Sequence, residues 1–453
     1  MVSIVSVHAQ VSLNYDLFLD KVIKNNPIAE KALNIKGMAE LKNISAKGNY
    51  DPMISGGVDN KYYNSTNYYT HVNAELKQAL YTSQYLKLGY DYGGGYYLSP
   101  EQYTGANGLP YIGLEFSVLQ GMMFDKRRAE LIKSRKSINY YDAEKNSILN
   151  DLLFESSQAY FECLFVNKQI NLYDYFISLA KQRMQGIVSL SESGEKPAID
   201  TIEAGILLQS RFLDYQSMQI EFQNKQNMLN TFYWNDDKSI SSIDFIQSDS
   251  LEWYYLSAKR NLLNIVDKDS VLNPELLKYS AMQDMLAVDV RLKKEMIKPK
   301  LDINYNFLSN NNNNFTPSWG INNYKWGANL SFPLFFRNAS NDYKVSLLQL
   351  KNNKLDLNNK TNVLQMKKKI YNQNLILIQS QISNAEQSVS LSKKMLELEK
   401  IKFDNGESSL FMLNQRENKW LELELKLNEY KFKFIKTVLG LIYLRGDLNF
   451  RFI

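Results

Sequence analysis

The sequence holds one cysteine, Cys163, and two histidines, His8 and His71. A disulfide framework, a His-rich zinc site and a Ser-His-Asp triad each need more of these residues than the chain has. No stretch approaches the roughly 18 consecutive apolar residues of a membrane-spanning helix. An excess of one charge is missing as well: 53 Lys and Arg stand against 48 Asp and Glu, a net +5 over 453 residues. No basic patch announces a nucleic-acid partner. Nine prolines are few, so long uninterrupted elements are expected. An apolar fraction of 44% excludes disorder.

Few residues stand out as chemistry. Gly93-Gly94-Gly95 lacks the spacing and following Lys of a phosphate loop and reads as a turn between strands. Cys163 follows Tyr160 and Phe161 in a helical apolar run and reads as a small packed hydrophobe. Lys126-Arg127-Arg128 and Lys367-Lys368-Lys369 read as solvated helix faces. No catalytic set, no metal site and no cofactor site is expected, and the chain is not read as an enzyme. What is abundant is tyrosine. Twelve of 30 fall between Tyr62 and Tyr111.

The chain opens MVSIVSVHAQ. Val7-His8-Ala9 before Gln10 fits a small-residue cleavage site, making residues 1–9 a signal peptide remnant and implying export. A frayed apolar terminus fits the same residues. No cysteine follows the cleavage point, so no N-terminal lipid anchor is expected.

Internal repetition organises the rest. Asn26-Pro27 opens a helical stretch that ends at Asp51-Pro52, and Asn273-Pro274 opens another that ends at Lys298-Pro299. Each pair is followed by alternating segments, a long helical run to a glycine (Gly194 or Gly406), and a further helical run. The expected division is repeat 1 over 10–236, a linker over 237–271, repeat 2 over 272–445 and a tail over 446–453. In repeat 2, Leu301, Ile303, Tyr305 and Phe307 alternate with Asp302, Asn304 and Asn306. In repeat 1, Leu114, Phe116 and Val118 alternate with Glu115 and Ser117. These are strands with one apolar and one polar face. Asn310 to Asn314 read as an exposed hairpin loop. Residues 63–108 are an insertion with two further alternating stretches, which either add a hairpin to the sheet or fold as a cap.

The helical runs from 125 to 191 and from 341 to 404 contain no proline and only one glycine, Gly186. Each would be about 100 Å long as helix, more than a globular domain spans. Sevenfold spacing at Leu350, Leu357, Leu364, Tyr371 and Ile378 indicates coiled-coil-like packing. The stretch from Ser12 to about Gly48 reads as one helix of roughly 55 Å. Two strands per copy make about four per chain. Four strands cannot close a barrel, and open edges are not tolerated in lipid. Three chains would pool about twelve. Trp319, Tyr324 and Trp326 flank the second-copy strand, as a lipid interface selects. Aromatic-rich packing in a soluble sheet is the other reading.

Ser193-Gly194-Glu195-Lys196-Pro197-Ala198-Ile199-Asp200, followed by Ala204, resembles the Gly-x5-Asp-x3-Ala hairpin turn of the TolC-type outer membrane efflux family. Asn405-Gly406-Glu407-Ser408-Ser409-Leu410 resembles its second turn, and Phe124-Asp125-Lys126-Arg127-Arg128-Ala129 its passage from strand into helix. The resemblance covers essentially the whole chain after the leader. It implies an α+β protein: long antiparallel helical hairpins forming an α-barrel, and an antiparallel transmembrane β-barrel built by a homotrimer. It implies an outer membrane exit duct of a Gram-negative bacterium with a long periplasmic extension. Its partners would be a periplasmic adaptor, an inner-membrane pump and outer membrane lipid, with no nucleic acid. The entrance and adaptor tip would comprise Glu192, Ser193, Gly194, Glu195, Asp200, Glu203, Asp404, Asn405, Gly406, Glu407, Met412 and Gln415. The family's second turn often carries aspartates where this chain has Met412 and Gln415, so entrance acidity is expected from Asp200 and Glu203. The polar strand residues Glu115, Ser117, Asp302, Asn304 and Asn306 would line the barrel lumen. The rival reading is a non-catalytic periplasmic or extracellular coiled-coil scaffold with a small β head.

Overall fold

A computed structural model describes residues 14–240, 250–266, 273–310, 318–448 and 450–451. Residues 1–9, expected as a leader remnant, and most of the Asn310–Asn314 loop lie outside the described residues. The helices are α1 (Tyr15–Asn25), α2 (Pro27–Gly48), α3 (Lys126–Glu192), α4 (Ala198–Asn230), α5 (Leu251–Val266), α6 (Pro274–Glu295), α7 (Arg337–Asp404) and α8 (Leu410–Arg445). The strands are β1 (Met53–Tyr63), β2 (Thr66–Ala79), β3 (Gln84–Gly94), β4 (Leu109–Ser117), β5 (Lys300–Asn310) and β6 (Ser318–Ser331). Among the described residues, no helix is long and apolar enough to cross a membrane.

The two long runs are continuous: α3 has 67 residues and α7 has 68, about 100 Å each at 1.5 Å per residue. The expected single helix from Ser12 to Gly48 is instead two. Asn26 adopts extended backbone, with ψ 131°, because the residue before a proline is pushed out of the α region. Its side chain then caps α2, accepting from the Ile28 N–H at 2.9 Å. Its amide nitrogen donates to the Phe232 carbonyl at 3.3 Å, just past α4. Asn273 does the same for α6. It accepts from the Glu275 N–H at 2.9 Å and donates to the Leu444 carbonyl near the end of α8 at 3.0 Å. A two-faced amide is needed at both positions, which explains why each proline follows an asparagine.

The packing forms two compact units, one of Met1–Asn34, Glu144–Glu275 and Lys360–Ile453, the other of Ile35–Ala143 and Leu276–Asn359. The first is held by an aromatic core. Tyr15, Phe18, Tyr160, Phe161 and Phe434 are buried there with Leu229, Val438 and Leu439. The Tyr15 ring lies 4.8 Å from Phe161 and 5.1 Å from Tyr160. Its hydroxyl sits 2.8 Å from Ser157 Oγ and 3.0 Å from the Phe450 carbonyl, tying the first helix to the chain's last residues. Burial drives that hydroxyl's pKa well up. The expected linker over 237–271 contains α5, whose Leu251, Tyr254, Tyr255 and Ala258 join the same core. Their i, i+3, i+4, i+7 spacing is a helical signal that the sequence reading passed over.

The second unit is built on one antiparallel sheet in the order β1-β2-β3-β4-β5-β6. It has six strands rather than the expected four. The insertion over 63–108 supplies β2 and β3 as a hairpin within the sheet, pairing over Thr70–Gly94 to Ala79–Tyr85. β4 pairs with β5, Glu115 opposite Asn304 and Ser117 opposite Asp302, and so joins the two halves of the sequence. Residues directly opposite share a face. One full-width row reads Ile54, Leu76, Leu88, Ile112, Phe307, Tyr324. Every member is solvent-exposed, Ile54 by 82%. The row one position along reads Lys77, Lys87, Gly113, Asn306, Lys325 and lies on the other face. A smaller core of Phe124, Ala129 and Val288 packs nearby, with the Arg291 guanidinium 4.2 Å over the Phe124 ring.

Phe18, fully buried in the aromatic core, gives a stability test. Phe18→Ala is expected to cost about 3–5 kcal/mol, measured by denaturation of the purified protein. Cys163 is 1% exposed, and burial pushes its thiol up to about 12. It should therefore resist a thiol reagent at pH 8 in the folded protein and react once unfolded.

Candidate functional site

The two hairpin turns are built alike. α3 ends at Glu192, and Gly194 follows with φ +79°; α7 ends at Asp404, and Gly406 follows with the same φ. The Gly194 N–H donates to the Ser191 carbonyl at 3.1 Å and the Glu195 N–H to the Leu190 carbonyl at 2.9 Å. In the second turn, Gly406 donates to Phe403 at 3.0 Å and Glu407 to Lys402 at 2.8 Å. This pair of bonds is the Schellman arrangement, which requires a left-handed residue after the last helical turn. Nothing lies within 4 Å of where a Cβ would stand at either glycine, so the backbone angle and not crowding demands glycine there. The returning helices are restarted by Pro197 before α4 and by Ser409, whose hydroxyl accepts from the Met412 N–H at 3.3 Å before α8.

Glu192, Ser193, Gly194, Glu195, Asp404, Asn405, Gly406, Glu407, Met412 and Gln415 are all exposed at these turns, and Asp200 is half-buried. Glu203 is also half-buried, and it is engaged: Asn414 donates to its carboxylate at 3.0 Å. The turns pack through Ile187, Ala204 and Leu410, with Met184 and Phe403 alongside. The Lys196 ammonium lies 4.6 Å over the Phe403 ring. Ser408 donates to Glu399 at 2.5 Å, and Arg416 lies 3.4 Å from the same carboxylate. These bonds, Ser408 first, pull that carboxyl below its ordinary range.

Behind the turns runs a polar ladder that the sequence reading missed. Arg183 of α3 donates to Asn414 of α8 at 2.9 Å and forms an ion pair with Glu417, which is completely buried. Arg211 of α4, also buried, donates to Asn418. Burial lowers the Arg211 pKa while the Glu417 charge opposes that. A signal was present. On α8 the buried positions Leu410, Leu413, Glu417, Trp420 and Leu427 follow heptad-like spacing, so Glu417 is a carboxylate in a core seam. A cavity of ≈440 Å³ beside it is lined by Arg183, Ile187, Lys393, Phe403, Glu417 and Trp420 among others.

The five candidate lumen residues share one face of the sheet. Glu115 accepts from Lys77 at 2.7 Å and Lys87 at 2.6 Å. Ser117 donates to Asp302 at 2.6 Å, and Lys300 lies 2.8 Å from that carboxylate. The amide oxygens of Asn304 and Asn306 are buried without a hydrogen-bond partner. The Tyr111 ring crosses Gly89 on the same face, its hydroxyl donating to Glu75 at 2.8 Å. Charges of both signs are therefore paired flat along this face, opposite the exposed apolar one.

Removing one partner of a buried ion pair strands the other charge. Arg183→Met is thus expected to cost about 3–5 kcal/mol, and Arg183→Met with Glu417→Met together to cost much less. A double-mutant cycle read by thermal unfolding in detergent checks both.

No family model matches the sequence, and no curated protein matches it either. Solved structures do match in fold. The CmeC outer membrane channel of Campylobacter jejuni superposes with a TM-score of 0.66 at 14% identity, covering 95% of this chain and 85% of its own. The outer membrane protein VceC of Vibrio cholerae gives 0.66 at 12%, covering 95% of each chain. The MtrE outer membrane channel of Neisseria gonorrhoeae, in its open state, gives 0.65 at 11%, covering 95% and 88%.

Proposed function

We propose that this chain, which has the fold of TolC-type outer membrane efflux channels, is a passive exit duct. It would conduct small molecules or polypeptides across the periplasm and outer membrane of a Gram-negative bacterium, as a homotrimer and with no catalysis of its own. The observation that carries this reading is the two-faced sheet. Its full-width apolar row is exposed and its charged residues are gathered on the opposite face, as a lipid-facing barrel wall with a polar lumen requires. A water-soluble scaffold would leave that apolar row uncovered at a cost of roughly 25 cal/mol per Å². The repeated hairpins, the paired Asn-Pro caps and the twin Schellman turns support descent from one doubled unit.

Energy would come from an inner-membrane pump through a periplasmic adaptor that docks at the exposed turns around Gly194 and Gly406. Opening would separate the two hairpins, and the Arg183–Glu417 and Asn414–Glu203 contacts would bias the closed arrangement. The mouth's carboxylates are Glu192, Glu195, Asp200, Glu203, Asp404 and Glu407. Threefold repetition would concentrate negative potential there.

Single-channel recording in a planar bilayer tests the duct. Discrete long-lived pores, from a species of three chain masses in detergent, are expected. A protein that folds by circular dichroism yet stays soluble without detergent and never inserts would defeat the reading. Asp200→Asn combined with Glu203→Gln should weaken both cation preference and block by divalent cations several-fold. Unchanged selectivity in that variant would remove the acidic mouth while leaving the duct.

A further inference from the structure

Six strands per chain, where the sequence pattern counts four, alter what three copies build. We propose that β6 of one copy pairs with β1 of the next and that the trimer closes an eighteen-stranded barrel, whose polar interior is too wide for its own side chains to seal. This rests on the trimeric duct reading above.

The edges carry the argument. β1 is exposed along all eleven residues and β6 spans fourteen. Neither contains proline, and neither has a described neighbour on its outer side. Each therefore offers a long row of unpaired N–H and C=O groups, with one lysine per strand, Lys61 and Lys325, and a register shift only near one end of each edge hairpin, at Lys61/Tyr62 and Phe307/Ser309. Every pairing in the sheet is antiparallel. With an even strand number, β1 and β6 run in opposite directions, so β6 of one copy meets β1 of the next antiparallel with no reversal of either chain. The faces match too. Ile54 of β1 and Tyr324 of β6 end the same apolar row, while Ser55 and Lys325 lie on the opposite face. Joining the edges continues the apolar belt outside and the polar wall inside. The contact is heterologous, and a ring of three satisfies every edge.

Strand spacing of about 4.8 Å and a tilt of about 40° give a backbone radius of about 18 Å for eighteen strands, against about 12 Å for twelve. Barrels of that size hold an aqueous channel. The inner side chains add little obstruction, because Lys77 and Lys87 are held down on Glu115 and Tyr111 lies across Gly89. The membrane section would thus be an open vestibule, and any constriction that selects cargo would lie in the helical part of the chain.

Pulsed electron–electron spin-distance measurement on the detergent-solubilised trimer reads the radius directly. Leu114→Cys places one spin label per chain on the apolar face of β4, and Leu88→Cys does so on β3. Native Cys163, 1% exposed, stays unlabelled, which the parent protein verifies. Threefold symmetry puts equivalent backbone sites about 31 Å apart in an eighteen-stranded barrel and about 21 Å apart in a twelve-stranded one, with label arms adding equally to both. The longer distance, equal at the two positions, is expected. The shorter distance at Leu114→Cys in an intact trimer, or a β3 distance that departs from the β4 one, would overturn the wide barrel and leave the duct standing. A species that is not three chains would overturn both.

Discussion

Backbone hydrogen bonding at the sheet edges is the constraint from which the rest of this protein follows. In the proposed barrel the apolar face of the Ile54–Tyr324 row leaves water for lipid. Once it does, no solvent remains to satisfy the free N–H and C=O groups of β1 and β6. One copy cannot curl six strands into a closed barrel with a lumen. In the proposed duct the edges would be met by other copies, and the symmetry and the lumen width would follow from that requirement.

The helical unit answers a different demand. Helices of 67 and 68 residues cannot be held in register by propensity alone. The aromatic cluster around Tyr15, Tyr160 and Phe161 and the asparagine clamps at Asn26 and Asn273 fix their positions where α1, α4, α5 and α8 meet. Near the turns the packing changes character. Arg183, Glu417 and Arg211 add a charged ladder to the apolar contacts of Ile187, Ala204 and Leu410. Such a ladder is a weak source of net stability but is sensitive to geometry, which would suit the proposed opening of the two hairpins.

Much of this was legible because its physics is local. Proline scarcity and sevenfold spacing announce the long helices, strict alternation over Leu301–Phe307 announces β5, and Gly194 and Gly406 announce turns that need a left-handed residue. The break at Asn26 was legible too, since a residue before proline leaves the α region, yet apolar continuity on both sides masked it. The linker expected over 237–271 likewise hid α5, whose helical spacing is short. Glu417 shows the opposite difficulty. Its place in a core seam is visible in the spacing of α8, but its partner Arg183 lies 234 positions away, and nothing local connects them.

Local pattern in the sequence sets the long helices, the strands flanking the insertion, the places where the hairpins turn, and the apolar and polar faces of those strands. Periodicity, proline and glycine act over a few residues, so those outcomes need no partner. Folding alone settles that residues 63–108 enter the sheet, that β4 pairs with β5, and that Arg183 meets Glu417 behind the turns. Strand neighbours and buried ion pairs are chosen by contacts between distant segments, and those contacts exist only once the chain has folded.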